Sequence, residues 1–408
     1  MDILFATGHV PDAKGLQAGQ RVGYYICEYL ARRHRVHLLA LAPGREIAEL
    51  DKADLEIFAS RELVPVTNLL RLFGALSAPW LPLSIAARNS PSFRSKLRRL
   101  VKVRRPDAAI FEHTAMLPYA ADLPASVVAV GCVQDVFTQA WQRKADRAGN
   151  PAARLLLGAE LRRVKRWEKA TCASLDLMVV LNEKDKKLLE DLESSIKTMV
   201  IDPWFSAPVP NPSLSREPGA MIYWGAMDRS ENADAARWAA NQILPIIRRD
   251  VPGAKLYIAG SRGEQLASEF SGRDDVVVTG FVKDVGALMS RMEIALLPLR
   301  LGAGIKIKTL ECMAAGLPVV TTSVGAEGVG GTDGTHYLIS DEAEQLAAHS
   351  VALLRNSKAS REMGARAKQF IAESRDFAGR MKQFEDVLIT AVAERQRVPS
   401  TREPVGTI

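Results

Sequence analysis

The residues with the clearest chemical potential lie in a loop rich in glycine and lysine near residue 305. Gly302 and Gly304 precede Lys306 and Lys308, and Glu311 follows about one helical turn later. Glycines ahead of a helix let backbone N–H groups approach an anion that the positive helix end already favours, and the lysines add two cations. A carboxylate at Glu311 can accept hydrogen bonds from two hydroxyls of a sugar ring. The pattern predicts a site for phosphate and sugar, and therefore for a nucleotide.

The elements around this loop read as strand, helix and strand. Residues 294–299 form an apolar run, 307–315 carry apolar side chains at helical spacing, and 319–322 form a β-branched run. Gly316 stands where a helix end needs a positive φ, and Pro318 prevents the helix from continuing. The order predicts one βαβ unit, and therefore a parallel sheet.

The loop and its helix resemble a known family signature. Residues 302–320 read Gly-x-Gly-x-Lys-x-Lys-x-x-Glu and then Met-Ala-x-Gly-x-Pro-Val-Val. This is similar to the donor site of the retaining glycosyltransferases of family 4, which have the GT-B fold of two Rossmann-like, doubly wound α/β domains facing a cleft. The resemblance implies that Glu311 holds the nucleotide ribose. The family's first glutamate falls on Ala303, which we interpret as a variant donor pocket; a βαβ unit with a solvated helix start is the structural alternative.

The resemblance extends to other loops of the chain. It implies a phosphate-side loop over residues 225–232, on the pattern Gly225-Ala-Met-Asp-x-x-x-Asn, although the usual Arg and Lys pair is reduced to Arg229. It implies that the main chain of Gly280, Phe281 and Val282 meets the nucleobase. Gly15, in a glycine loop after a first strand over residues 3–7, is similar to the family's loop that faces the donor diphosphate.

Polar residues follow two predicted strands of the first half of the chain. Residues 108–111 lead to Glu112 and His113, and residues 127–133 lead to Gln134 and Asp135. Parallel sheets bind ligands at the carboxyl ends of their strands. His113 and Asp135 are therefore candidates for the acceptor side, with loop anchors as the alternative, and the family resemblance places a histidine near His113.

Length and pattern bound the organisation. At 408 residues, 47% apolar and 25% charged, the chain can bury two cores. Residues 141–169, 342–353 and 362–388 are predicted helices. The predicted domains are an acceptor-binding domain over 1–202, a linker with five prolines over 203–218, a nucleotide-sugar-binding domain over 219–375, a helix over 376–395 that crosses back to the first domain, and a disordered tail over 396–408.

Several site classes lack their usual residues. The four cysteines are far apart, with no Cys-x-x-Cys pair, so neither a zinc site nor a disulfide framework is indicated. The chain has no Asp-x-Asp, so we expect no metal and no cofactor, with fixed donors at residues 302–308 stabilising the leaving diphosphate. The first ten residues are typical of a strand and not of a signal peptide, which favours a cytoplasmic protein.

The net charge of +7 is concentrated in one segment. Residues 63–106 contain no Asp or Glu and nine Lys or Arg, and 72–87 contain no charge. Because residues 72–87 contain Pro79 and Pro82 and fall short of the roughly 20 residues of a spanning helix, we do not predict a span. We expect a surface segment on an anionic inner membrane face; a packed helix pair with a solvated basic face is the alternative. Nothing in it is typical of nucleic-acid binding.

Together these observations predict a retaining, metal-independent glycosyltransferase. Its donor would be a nucleotide sugar of the UDP or GDP type, and its acceptor a glycan or a polyprenyl-linked glycan of the cell envelope. Two alternatives remain open: a nucleotide-sugar epimerase of the same fold, and a silent nucleotide-binding scaffold, which the alanine at position 303 would suit.

Overall fold

The computed structural model describes residues 1–15, 18–48, 55–67, 76–205 and 207–397. It divides into two compact units, Met1–Trp204 with the C-terminal helix, and Phe205–Asp376. Each unit is a parallel-sheet α/β domain, which confirms the predicted fold class. The predicted disordered tail falls, beyond residue 397, outside the described residues, as do residues 68–75 of the acid-free segment.

In the described part of the first domain, seven parallel strands form one sheet in the order β3-β2-β1-β4-β5-β6-β7. The strand order reverses between β1 and β4, where Ile3 pairs with Ala108. Ligands of doubly wound sheets bind at such a reversal. The strands are β1 Asp2–Thr7, β2 Arg35–Pro43, β3 Ser60–Val66, β4 Ala108–Glu112, β5 Val128–Cys132, β6 Leu177–Val180 and β7 Thr198–Val200.

The helices of the first domain cover both faces of its sheet and bury a core that includes Phe93, Phe111 and Tyr119. A 3₁₀ segment, Thr114–Asp122, follows β4. The helices are α1 Ala18–Ala31, α2 Gly44–Ala48, α3 Leu83–Ala86, α4 Pro91–Arg104, α5 Phe137–Asp146, α6 Pro151–Ala173, α7 Glu183–Leu192 and, from the end of the chain, α15 Phe377–Arg397.

The second domain has a six-stranded parallel sheet among its described residues, in the order β10-β9-β8-β11-β12-β13, which reverses between β8 and β11. Its strands are β8 Ala220–Trp224, β9 Lys255–Ala259, β10 Val276–Gly280, β11 Ile294–Leu297, β12 Val319–Thr321 and β13 Leu338–Ile339. Its helices are α8 Ser230–Trp238, continued by a π-turn Ala239–Ile243, α9 Leu244–Asp250, α10 Glu264–Glu269, α11 Val285–Ser290, α12 Ile307–Ala314, α13 Ala343–Arg355 and α14 Ser357–Ser374.

The βαβ unit predicted around the glycine and lysine loop is confirmed as β11, α12 and β12. Its helix ends as predicted at Gly316, whose φ is 75°. The Gly316 N–H donates to the Met313 carbonyl at 2.9 Å, and the Leu317 N–H donates to the Cys312 carbonyl at 3.0 Å. These two bonds form a Schellman motif, which satisfies carbonyls that the helix leaves open.

Two helix predictions are wrong. The predicted helix over 141–169 is two helices, α5 and α6, because a new helix begins at Pro151. Proline suits this first position, where no N–H is needed. Asn150 caps the new helix, since its Oδ1 accepts from the Ala153 N–H at 2.8 Å. The predicted helix over 362–388 breaks after Ser374. There Arg375 is extended and its guanidinium donates to the Gly328 and Val329 carbonyls.

The four cysteines are buried free thiols. Among the described residues, no helix combines the length and the apolar character that crossing a bilayer would require.

Candidate functional site

The loop between β11 and α12 has the conformation that its glycines allow. Gly302 and Gly304 have φ values of 104° and 70°, in the left-handed region that favours glycine. Lys306 is the N-cap residue of α12, and its carbonyl accepts from the Thr309 N–H at 2.9 Å. Because β11 lies beside β8 at the reversal of strand order, this loop occupies the ligand-binding edge of the sheet.

The ammonium of Lys308 projects to the end of β8. Its Nζ donates to Asn232 Oδ1 at 2.5 Å and lies 3.4 Å from the Tyr223 hydroxyl and 5.1 Å from the centre of that ring. A Cβ added at Gly225 would lie only 2.8 Å from this Nζ, so the glycine leaves the space that the ammonium occupies. The ammonium of Lys308 therefore lies directly against the backbone of Gly225.

The surroundings of Lys308 favour its neutral form. The pKa of Lys308 is lowered to about 7; burial is the largest cause, the positive charges of Arg229 and Lys306 act in the same direction, and Glu231 opposes them. A lysine in this state gains most from an anionic ligand, because the negative charge compensates for the water that the ammonium has lost. Perturbed titratable groups in such positions are typical of functional sites.

Lys306 has a different environment from Lys308. Its Nζ donates to the carbonyls of Gly304 at 2.6 Å and Ala303 at 3.1 Å, and lies 3.5 Å from the Glu327 carboxylate. The side chain is 8% exposed. Lys306 thus braces the glycine loop from inside, and the position of the family's first glutamate, Ala303, contributes a backbone carbonyl to that brace.

Glu311 is held on the buried side of α12. The residue is 5% exposed, and its Oε2 accepts from the Trp224 Nε1–H at 2.8 Å. The contact joins α12 to the carboxyl end of β8. A carboxylate fixed in this way can accept further hydrogen bonds from hydroxyl groups without reorientation.

The loops after β8, β9 and β10 approach one another closely. Gly260 has a φ of 137°, and a Cβ there would lie 1.7 Å from the Gly225 carbonyl oxygen. The Gly260 N–H donates to the Gly280 carbonyl at 2.9 Å. Gly260 thereby links the backbones of Gly225 and Gly280, and the side-chain ammonium of Lys308 lies beside Gly225. Beside them Arg229 is the N-cap residue of α8, Phe281 is exposed and Val282 is partly buried.

The candidate residues of the first domain lie at the carboxyl ends of β1, β4 and β5. His113 has a φ of 79°; its Nδ1 accepts from the Ala115 N–H at 3.1 Å, and its ring lies 3.3 Å from Arg88 Nη1. Asp135 is partly buried two residues after Val133. Gly15 closes a turn by donating to the Asp12 carbonyl at 3.1 Å, and its own carbonyl accepts from Arg21 at 3.1 Å.

Sequence reasoning missed a buried network beside His113. Glu112 accepts from the Thr7 hydroxyl at 2.6 Å and from the Gln134 amide at 2.5 Å, and burial raises the pKa of Glu112. In the second domain it missed the roles of Tyr223 and Trp224. It included Asn232 in the phosphate-side pattern but did not predict the contact of Asn232 with Lys308.

The amino-acid sequence matches one family model and is similar to one relative described below. Residues 219–356 match the family model described as Glycosyl transferases group 1. A protein described as an uncharacterized 44.6 kDa protein in the cps region of Klebsiella pneumoniae is 27% identical over 164 residues, which are 38% of this chain and 42% of that protein. The aligned part therefore spans less than half of that relative.

Two solved structures are similar to the whole chain. HepE from Anabaena, solved in complex with UDP, has a TM-score of 0.65 at 13% identity over 96% of this chain and 100% of that chain. WaaG, a glycosyltransferase involved in lipopolysaccharide biosynthesis, has a TM-score of 0.63 at 16% identity over 95% of this chain and 99% of that chain. The chain has the GT-B fold, and the part of it that matches the group 1 glycosyltransferase model, residues 219–356, lies in the second domain.

Proposed function

We propose that this protein transfers a sugar from a nucleotide-sugar donor to a glycan or lipid-linked glycan acceptor. The observation that carries the proposal is the position of Lys308, whose partly desolvated ammonium faces the glycine backbone at the reversal of the second sheet. A UDP complex of a protein with the same fold supports a nucleotide donor.

The diphosphate would lie between the β8 loop and the β11 loop. Its negative charge grows as the bond to the sugar breaks, so fixed cations and backbone donors stabilise the transition state more than the ground state. Lys308 would supply the cation and the glycine loop the backbone donors, while Lys306 keeps the loop in shape. On this proposal the fixed donors replace a divalent metal ion.

Glu311 would bind the ribose. The carboxylate already accepts from Trp224, which orients it before the nucleotide arrives. The backbone near Gly280 would meet the base, as the family resemblance implies. We further propose retention of the anomeric configuration by front-face attack, in which the leaving phosphate helps to take the acceptor proton; this step rests on the resemblance alone.

For the first domain we propose the acceptor side. His113 and Asp135, at the ends of β4 and β5, would be the groups nearest to the reacting sugar and the acceptor. The K. pneumoniae relative lies in a cps region, and WaaG takes part in lipopolysaccharide biosynthesis, so cell-envelope polysaccharide synthesis on the inner membrane face is the process we propose.

The test is a panel of UDP and GDP sugars, with thermal stabilisation as the readout. A donor that binds the folded state raises the melting temperature by mass action. The expected result is stabilisation by one nucleotide class, reduced in Glu311→Ala because the ribose contact is lost. If no nucleotide shifts the melting temperature, the proposed donor site is wrong. If a nucleotide sugar binds but its sugar is neither transferred nor isomerised, the protein is a silent nucleotide-binding scaffold. If the bound sugar isomerises without an acceptor, the protein is an epimerase.

A further inference from the structure

Exposed apolar side chains concentrate on one part of the first domain. Leu155 and Leu156 lie in the second turn of α6 and are 71% and 72% exposed. Residues at i and i+1 of a helix point about 100° apart, so two exposed neighbours mean that this end of α6 stands out as a ridge. A second exposed group precedes α4 in the chain: Leu76, Trp80 and Leu83.

Hydrogen bonds hold the second group against α6, one to two helical turns beyond Leu155 and Leu156. Arg163 donates to the Leu81 carbonyl at 2.6 Å and to the Pro79 carbonyl, and Glu160 Oε1 accepts from the Leu83 N–H at 2.6 Å. Leu156 lies one helical turn before Glu160, on the same side of α6. We call Leu76, Trp80, Leu83, Leu155 and Leu156 the apolar face.

A notch between two arginines lies beside the apolar face. Arg154, Gly158 and Arg162 follow at intervals of four residues, so they form one stripe of α6. Gly158 has no neighbour within 4 Å of an added Cβ, which leaves open space between the two guanidinium groups. Together with Leu155 these residues line a pocket of about 580 Å³. Two guanidinium groups around an open pocket suit a phosphate group.

The charge of the surrounding helices is positive. The exposed basic residues of α5, α6 and their connection outnumber the single exposed acid, Asp146, because Glu160 and Glu168 are buried. They are Lys144, Arg147, Arg154, Arg162, Lys165, Arg166 and Lys169.

The basic helix α4, in contrast, is partly neutralised. Arg94 and Arg98 pair with Asp122, and Arg99 pairs with Glu62. On α6, Lys169 pairs with Glu193 at 2.8 Å, so the exposed positive charge that we consider there is that of Arg154, Arg162, Lys165 and Arg166.

We infer that the start of α6 and the apolar face dock on an anionic phospholipid bilayer, with lipid phosphate in the Arg154 and Arg162 notch. A projecting ridge of leucines suits a fluid acyl layer better than a flat protein surface, and tryptophan beside basic residues is typical of the membrane interface. A second copy of the chain would bring two positive faces together, which charge repulsion disfavours. The inference rests on the proposed function for its purpose, a lipid-linked acceptor, but its test does not require transfer.

The experiment is flotation of the full chain with vesicles of phosphatidylcholine and phosphatidylglycerol, compared with phosphatidylcholine alone. The wild type is expected to float with the anionic vesicles, and less so as salt rises. Leu155→Ser/Leu156→Ser is expected to lower the partition coefficient about tenfold or more. Arg154→Glu/Arg162→Glu is expected to lower it at least as far. The substituted side chains are exposed, so the melting temperature should be unchanged.

Matched controls lie elsewhere on the surface. Arg249→Glu/Lys358→Glu changes the net charge by the same amount on exposed residues of the second domain. Val209→Ser/Val387→Ser removes two other exposed apolar side chains. Both are expected to float like the wild type.

The readouts separate this inference from the proposed function. UDP-sugar stabilisation should be the same in the leucine variant and the wild type, whether or not vesicles bind. The inference is overturned if the wild type stays with the soluble fraction at low salt, or if the α6 variants float as it does. It is also overturned if the leucine variant abolishes self-association in sedimentation velocity while no form of the protein binds vesicles, because the face is then an interface between copies.

Discussion

For single residues, the proposed transfer depends most on Lys308, whose pKa is lowered to about 7. The pKa of Lys308 is lowered to about 7 chiefly by burial, so the free protein has a substantial neutral fraction at pH 7. Below that pH the ammonium is already present. Above that pH, the neutral Lys308 must take up a proton before it can form an ion pair with a diphosphate.

We therefore predict that donor affinity falls as pH rises above about 7. The dissociation constant should increase toward tenfold per pH unit until the pKa of the bound complex is reached. Calorimetry between pH 6 and 9, in buffers of different ionisation enthalpy, measures both the affinity and the proton uptake. In Lys308→Ala both should lose this pH dependence, and transfer should fall by roughly tens to thousands of fold. Equal turnover in Lys308→Ala would remove the lysine from the mechanism.

Asn232 offers a second test, because it both holds the lysine and anchors a loop. Its Oδ1 accepts from Lys308, while its Nδ2 donates to the Ala226 carbonyl at 2.7 Å. Asn232→Asp places a carboxylate beside the ammonium and should raise the pKa of Lys308. The fall in donor affinity should then begin at a higher pH. Asn232→Ala should weaken donor binding without moving the pH at which the affinity begins to fall. Identical pH profiles for the two variants would show that Asn232 only supports the loop.

At the scale of elements, periodicity and turn chemistry predicted what local sequence determines. The unit β11, α12 and β12 was predicted from apolar spacing and from Gly316, because a strand, a helix and a Schellman motif each leave a local signature. The break at Arg375 could not be predicted, because its guanidinium is held by carbonyls 46 and 47 residues away in the chain. The same limit applied to the hydrogen bond between Asn232 and Lys308, because these residues lie 76 positions apart in the chain.

The loops after β8 and β9 are in close contact at Gly225 and Gly260. A methyl group at position 260 would collide with the Gly225 carbonyl, and a φ of 137° excludes most side chains. Gly260→Ala should therefore destabilise the second domain by about 3 kcal/mol or more and lower donor affinity, because the loop that faces Lys308 must move. Thermal and urea unfolding measure the first effect. Gly253→Ala, with no neighbour within 4 Å and no positive φ, is the control and should be nearly neutral.

For the molecule as a whole, length and composition predicted two cores, but they did not predict how the basic segment is neutralised. Nine basic residues with no acid between positions 63 and 106 appear in the sequence as an uncompensated charge. In the folded chain, three of these basic residues pair with acids outside the run: Arg94 and Arg98 pair with Asp122, and Arg99 pairs with Glu62, which directly precedes the run. Pairing of this kind depends on which helices become neighbours, so a charge count along the chain cannot give it.

The C-terminal helix α15 belongs to the first domain, although the whole second domain separates the two in the sequence. Phe384 of α15 is 1% exposed, and Glu385 accepts from Arg33 at 2.7 Å and contacts His34 at 2.8 Å. A buried aromatic ring of this kind contributes about 3–5 kcal/mol, so Phe384→Ala should lower the unfolding free energy of the first domain by that amount. Ile389→Ala, on the same helix but half exposed, should cost far less.

Urea unfolding followed by tryptophan fluorescence, with and without the donor, measures these changes. The donor would bind the second domain, so its stabilising effect on that domain should persist in Phe384→Ala even as the first domain unfolds earlier. If Phe384→Ala and Ile389→Ala unfold together with the wild type, α15 does not contribute to the core of the first domain. The chain end would then be an accessory to a fold complete without it.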